Sequence, residues 1–171
     1  MDSLDVWVID ETSINAASLG DGIFVLWTGL VILTDEQVDA VFAHEFAHDR
    51  LQHSKKGAEL RDVTDFIGQA IGVLGGRDDA TTQTLKRWSG SFVVPQYDRR
   101  QELEADAMAV TILTVRQYSD PAAVICGAFV RLRSTAGEAG GGFFDAHPAL
   151  TERIQALRTG FPSPAAETAC K

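Results

Sequence analysis

Cysteine is scarce in this 171-residue chain, which holds only Cys126 and Cys170. Their spacing is not C-x-x-C, which argues against a zinc knuckle or a redox motif. A domain of this length does not need a staple, so two unpaired thiols are expected. Basic residues are also few: 15 Lys and Arg stand against 24 Asp and Glu, a net charge of -9. Phosphate binding needs clustered Lys and Arg, so nucleic acid is excluded as an expected partner. The acidic balance more simply serves solubility. No apolar run reaches the roughly 20 residues that span a bilayer. The opening "MDSLDVWVID" is acidic, starts directly in strand-like alternation and does not resemble a signal peptide. The chain as given is expected to be soluble, without a membrane span. It reads equally well as an excised domain of an exported or membrane-associated protein.

What is present suits one domain with a real core, since 45% of the residues are hydrophobic. "LDVWVID" alternates and reads as a strand over 4–9. "SINAASLGDG" reads as a loop with a short extended piece. "GIFVLWTGLVIL", from Gly22 to Leu33, is β-branched and aromatic and reads as a strand, a break at Gly29 and a short second strand. Thr34 with Gln37 forms a capping box, opening a helix to about Ser54 with Val38, Val41, Phe42 and Leu51 as its apolar stripe. Further helices are expected over 58–74, in "DATTQTLKRWSGSF", over 98–118, from Pro121 to about Ser134, and over 148–158. A Gly-rich loop covers 135–144. The expected fold is α+β, mainly helical, with a small N-terminal sheet: one domain over 1–160 and a poorly ordered tail over 161–171.

Chemistry enters with "AVFAHEFAHDRLQH". His44 and His48 are i and i+4, one turn apart on one helical face, where two imidazoles can share a metal. Glu45 sits beside the first and can reach a water on that metal without ligating it. Taken alone, H-E-x-x-H leaves a metal pair and a structural histidine pair equally open. A catalytic zinc takes three protein ligands and an open position. His53 lies on a different face and reads as a solvated helix end. "RRQELEADAMAV" offers a second i, i+4 pair, Glu102 and Asp106, of which Glu102 would complete the zinc site. Asp106 would accept the N–H of a ligand histidine. By itself this stretch reads as a solvated acidic face, with Glu104 exposed. Its small apolar neighbours Ala105, Ala107, Met108 and Ala109 instead suit a tightly packed helix, whose carboxylates need a partner.

These blocks resemble the gluzincin metallopeptidase family of the CAAX prenyl endopeptidases, HtpX, and the Oma-type and BepA-type proteases. "INAASLGDGIFVLWTGL" is similar to its Asn-Ala loop and edge strand, and "LTDEQVDAVFAHEFAHDRLQH" to its zinc helix. "RRQELEADAMAV" is similar to its E-x-x-x-D block, and "HPALTERIQAL" to its late His-Pro helix. Asp98 departs from the family's frequent Ser. The flanking transmembrane helices of many members are absent, so the soluble branch is the closer analogy. The resemblance implies one zinc per chain held by His44, His48 and Glu102, with Glu45 as general base and acid and Asp106 behind a ligand. It places His147 near the active site; Arg153 is expected to pair with a carboxylate near the site and not to touch substrate. It leaves Asn15 as either a loop cap or a substrate-facing amide.

The function implied is a zinc-dependent metalloendopeptidase acting on peptide or unfolded protein. The substrate would add to an edge strand, Gly22 to Leu26. The metal would activate water and polarise the carbonyl, Glu45 would move the proton, and His147 would stabilise the oxyanion. The Gly-rich segment 137–142 reads as a flap or as a plain connector. The alternative is a non-proteolytic, chaperone-like or scaffold domain that keeps the metal and the fold; the presence of Glu45 argues against it. A di-iron bundle needs a second E-x-x-H, and Ala105 stands where its histidine would be.

Overall fold

The computed structural model describes residues 4–53, 97–136, 143 and 147–171. The helices expected over 58–74 and in "DATTQTLKRWSGSF", and the Gly-rich segment 137–142, lie outside the described residues. The first three strands are β1 (Asp5–Ile9), β2 (Ala16–Gly20) and β3 (Ile23–Trp27). They form one sheet in the order β1-β3-β2, with β1 parallel and β2 antiparallel to β3. The turn from β2 to β3 runs through Gly20, Asp21 and Gly22 with φ of 89°, 51° and 82°. Two of the three are glycine because a side chain is disfavoured in that region.

This order corrects the expected edge. The Gly22–Leu26 stretch is essentially β3, which is paired on both sides and has no free main-chain groups for a substrate. The described sheet edges are β1 and β2. The short extended piece expected within "SINAASLGDG" is the strand β2. The expected second strand after Gly29 is a 3-10 helix, Thr28–Ile32. Gly29 packs there against the main chain of Thr12 and Ser13, and its N–H donates to the Glu11 carbonyl at 3.0 Å.

Five helices follow among the described residues. They are α1 (Asp35–Arg50), α2 (Arg99–Val115), α3 (Pro121–Ala136), α4 (Leu150–Gly160) and α5 (Pro164–Ala169). The Thr34–Gln37 capping box opens α1 as expected, and an Asp98–Gln101 box opens α2 in the same way. Of the stripe expected on α1 only Val41 is fully buried. The buried face is instead Ala40, Ala43, His44, Ala47 and His48. It packs on Glu102, Ala105, Asp106 and Ala109 of α2. The alanines are what let two helices approach closely enough for side chains from both to meet. Phe42 and Phe46 turn the other way and meet Phe24 of β3, with ring centroids 5.1 and 6.0 Å apart.

The main core lies under α1, α2 and α3 and is closed by α4 and α5. Ile125, Phe129, Leu132, Leu113, Ile154 and Leu157 are among its members. The tail expected to be poorly ordered is α5, capped by Ser163. It is held by a Cys126–Cys170 disulfide, which corrects the expectation of two unpaired thiols.

Candidate metal centre

Neighbouring α1 and α2 each place an i, i+4 pair in the space between them. His44 and His48 come from α1, Glu102 and Asp106 from α2, and all four are buried. The turn before α4 adds His147, also buried. His44, His48, Glu102 and His147 bring one donor atom each within 4.8 Å of one another. His44 Nε2 is 3.0 Å from His48 Nε2 and 3.5 Å from Glu102 Oε2. His48 Nε2 is 3.3 Å from Glu102 Oε1. His147 Nδ1 is 3.1 Å from Glu102 Oε1 and 3.3 Å from His44 Nε2.

These spacings fit a small cation. Donors about 2.0–2.2 Å from one tetrahedral zinc stand roughly 3.3–3.6 Å apart. Two imidazole Nε2 atoms facing each other at 3.0 Å need a proton or a metal between them. Among the described residues, four buried atoms lack a hydrogen bond of proper geometry: Glu45 Oε1, Glu102 Oε2, His147 Nε2 and Arg153 Nη1. They close on one another in pairs, Glu45 Oε1 to His147 Nε2 at 3.3 Å and Glu102 Oε2 to Arg153 Nη1 at 2.5 Å. Among the described residues, the carboxyl groups at 45, 102 and 106 are buried together with one guanidinium, that of Arg153, which contacts those at 102 and 106. A divalent cation would balance that charge.

Electrostatics follow from the same packing. Burial and the Arg153 charge oppose protonation of His44, but Asp106 and Glu102 outweigh them and raise it to about 9. In His48, burial dominates and lowers the ring to about 2. Burial pushes Glu102 up, yet the three imidazoles around it reverse this and hold it below the ordinary carboxylate range. Asp106 is also pushed up by burial but is held down to about 2, mainly by Arg153.

Outside the donor set, Asp106 Oδ1 lies 2.9 Å from His44 Nδ1, the contact anticipated from the spacing. Arg153 forks onto Asp106 through Nε at 2.8 Å and Nη2 at 2.7 Å and sits over the Phe129 ring. Glu45 stands beside the donor set and is not a member of it. Its Oε2 accepts the Ser18 N–H of β2 at 2.8 Å. Asn15 turns its Oδ1 back to the Ala16 N–H at 2.9 Å, a local cap.

Three neighbours were not anticipated. Tyr97 stacks on His48, centroids 3.6 Å apart and planes at 19°. Phe143 stacks on His147 at 4.3 Å and 19°. His53, expected to be a solvated helix end, is buried, with Nδ1 3.0 Å from His48 Nδ1. Only His53 left a usable signal. The helix ends at Arg50, four residues earlier than the periodicity suggests, and the chain then turns back.

Residues 2–160 match the sequence model of peptidase family M48. The chain is 32% identical over 147 residues to the metalloprotease LoiP of Escherichia coli, covering 85% of this chain and 58% of that protein. It is 28% identical over 152 residues to the metalloprotease YcaL of the same organism, covering 86% and 58%. It is 28% identical over 157 residues to the mitochondrial metalloendopeptidase OMA1 of Arabidopsis thaliana, covering 91% and 31%. The chain thus spans little more than half the length of the bacterial relatives. A match over nearly the whole chain, which includes the buried H-E-x-x-H helix, makes this chain a member of peptidase family M48.

Proposed function

We propose that the domain is a zinc-dependent endopeptidase with His44, His48 and Glu102 as ligands and Glu45 as the proton carrier. The observation that supports this most is the buried, facing set of imidazole and carboxylate donors with one more carboxylate beside it and outside it. Nitrogen and oxygen donors at these spacings suit zinc. When bound, that ion supplies a Lewis acid and a water of lowered pKa. Glu45 takes the proton of the attacking water and hands it to the leaving amine. Asp106 fixes His44 with its proton on Nδ1, so that Nε2 is free to ligate. His147 is assigned to the developing oxyanion. A second reading, His147 as a further ligand, is favoured by its Nδ1 lying in the donor set.

The substrate reading moves from β3 to β2. Ser18 turns its N–H to Glu45 and its carbonyl to the Tyr97 hydroxyl at 3.4 Å, so both groups point away from β3. An extended peptide laid along β2 would take over these groups beside Glu45. No helix among the described residues is long and apolar enough to cross a membrane. The disulfide supports an oxidising compartment, consistent with an exported or membrane-associated parent protein.

The test is Glu45→Gln. The variant is expected to hold one zinc per chain and to unfold like the wild type, yet to leave an unstructured protein uncut. Equal cleavage by the variant would remove Glu45 as the base. Absence of divalent metal from the purified wild type after zinc loading would remove the centre.

A further inference from the structure

We propose that His53 and Glu104 form a second positioning relay, which orients His48 as Asp106 orients His44. The proposal rests on the zinc reading above. If His48 ligates through Nε2, its single ring proton must sit on Nδ1. The atom that faces it is His53 Nδ1, 3.0 Å away, which must then accept. The His53 proton is thereby placed on Nε2, which faces Glu104 Oε2 at 3.4 Å. The other Glu104 oxygen accepts from Arg100 Nε at 2.7 Å, so each of its two oxygens has its own donor. One proton arrangement satisfies every contact from Arg100 to the ligating nitrogen.

The backbone is built to deliver this contact. Two residues past the end of α1, Gln52 has φ 57°, a left-handed conformation. The Gln52 N–H then donates to the Asp49 carbonyl at 3.0 Å and the His53 N–H to the His48 carbonyl at 2.9 Å. This is a Schellman closure. It folds the residue after the left-handed one back over the last turn, which is where the His53 ring meets His48. Glycine is the usual residue at such a position, and a glutamine there is mildly strained. The cost is met by burial of the imidazole, which is only 8% exposed. Tyr97 covers the face of His48, so the ring is held from its face and from its edge.

The relay predicts which substitutions matter. Asn places an oxygen acceptor close to where His53 Nδ1 stands, whereas Leu fills the space without one. His53→Leu is expected to weaken zinc binding by roughly 10- to 100-fold in a chelator competition. His53→Asn should stay within about threefold of the wild type on the same scale. Thermal unfolding of the metal-free variants gives the packing contribution separately. Nitrogen NMR of the zinc-loaded wild type should show His48 carrying its proton on Nδ1 and His53 on Nε2. That readout requires no substitution. Equal zinc affinity in the Leu variant and the wild type, an Asn variant as weak as the Leu variant, or an unprotonated His48 Nδ1 would overturn the relay alone. A wild type that takes up no zinc would overturn the metal centre and the relay with it.

Discussion

Arg153 is the largest fully buried side chain of the described residues, and its charge is answered from two directions. Asp106 takes its fork, and Glu102 lies against its remaining nitrogen. In the proposed zinc site, one ligand and the carboxylate behind another would therefore be tied to one cation, carried on α4. His147, itself one of the four donors, also lies against Glu45. If it donates to the oxyanion, its contribution belongs to the transition state. Removing one such donor costs about a hundredfold or more in turnover. His147→Phe is then expected to keep full zinc occupancy and a nearly unchanged KM, with kcat lower by roughly that factor. Loss of zinc would make His147 a ligand instead, and kcat within a few fold of wild type would make it packing under Phe143. Metal content and kinetics on the same preparation separate the three. The two i, i+4 pairs were legible in the sequence because helical spacing is local information. Tyr97 and Phe143 were not, since neither has a periodic relation to the histidines it stacks on. His147 was legible only through the family resemblance.

At the scale of elements, the capping box of α1 and the strands β1 and β3 were readable because their signals lie within a few residues. Sheet order was not. A single strand's alternation says nothing about which neighbours it takes, and the most apolar strand, β3, went to the centre. The stretch after Trp27 misled for a related reason. Thr28, Val31 and Ile32 favour strand, yet Gly29 settles the path, because only a residue without Cβ fits there. A Cβ at Gly29 would lie 2.2 Å from the Ser13 carbonyl oxygen and 2.4 Å from that of Thr12. Both are main-chain atoms and cannot swing aside as a side-chain tip can. Gly29→Ala is therefore expected to destabilise the fold by about 3 kcal/mol, at the upper end of ordinary overpacking. Urea denaturation checks it. A midpoint unchanged from wild type would mean that the loop over 10–15 yields freely, and that it does not hold β2 in place beside Glu45.

Over the whole molecule, α5 is the shortest of the described α-helices, and the disulfide ties its end to α3. The helix has six residues and buries only Ala166 completely, with Cys170 at its cap. Its other ties are the Ser163 hydroxyl on Asp120 and the Arg158–Glu167 ion pair, which is partly exposed. Exposed pairs contribute little. Cys126, by contrast, sits fully buried in α3, within the core shared with α1 and α2. The pairing was invisible in the sequence because it depends on α5 returning to α3, and a tail poor in large apolar residues gives no sign of that. The bridge closes a loop of sequence separation 44, whose loss of unfolded-state entropy is worth about 4 kcal/mol in the chain-entropy model. Measured bridges commonly deliver about 2–4 kcal/mol. Reduced wild type and the Cys126→Ala/Cys170→Ala variant are expected to unfold at the same urea midpoint, both less stable than the oxidised protein by a free energy in that range. Because α4 carries Arg153 and α5 packs on α3, release of α5 should act first on stability and leave zinc stoichiometry at one per folded chain. Identical midpoints with and without reductant would show that the core over α3 does not depend on the bridge. They would also remove the disulfide as support for an oxidising compartment.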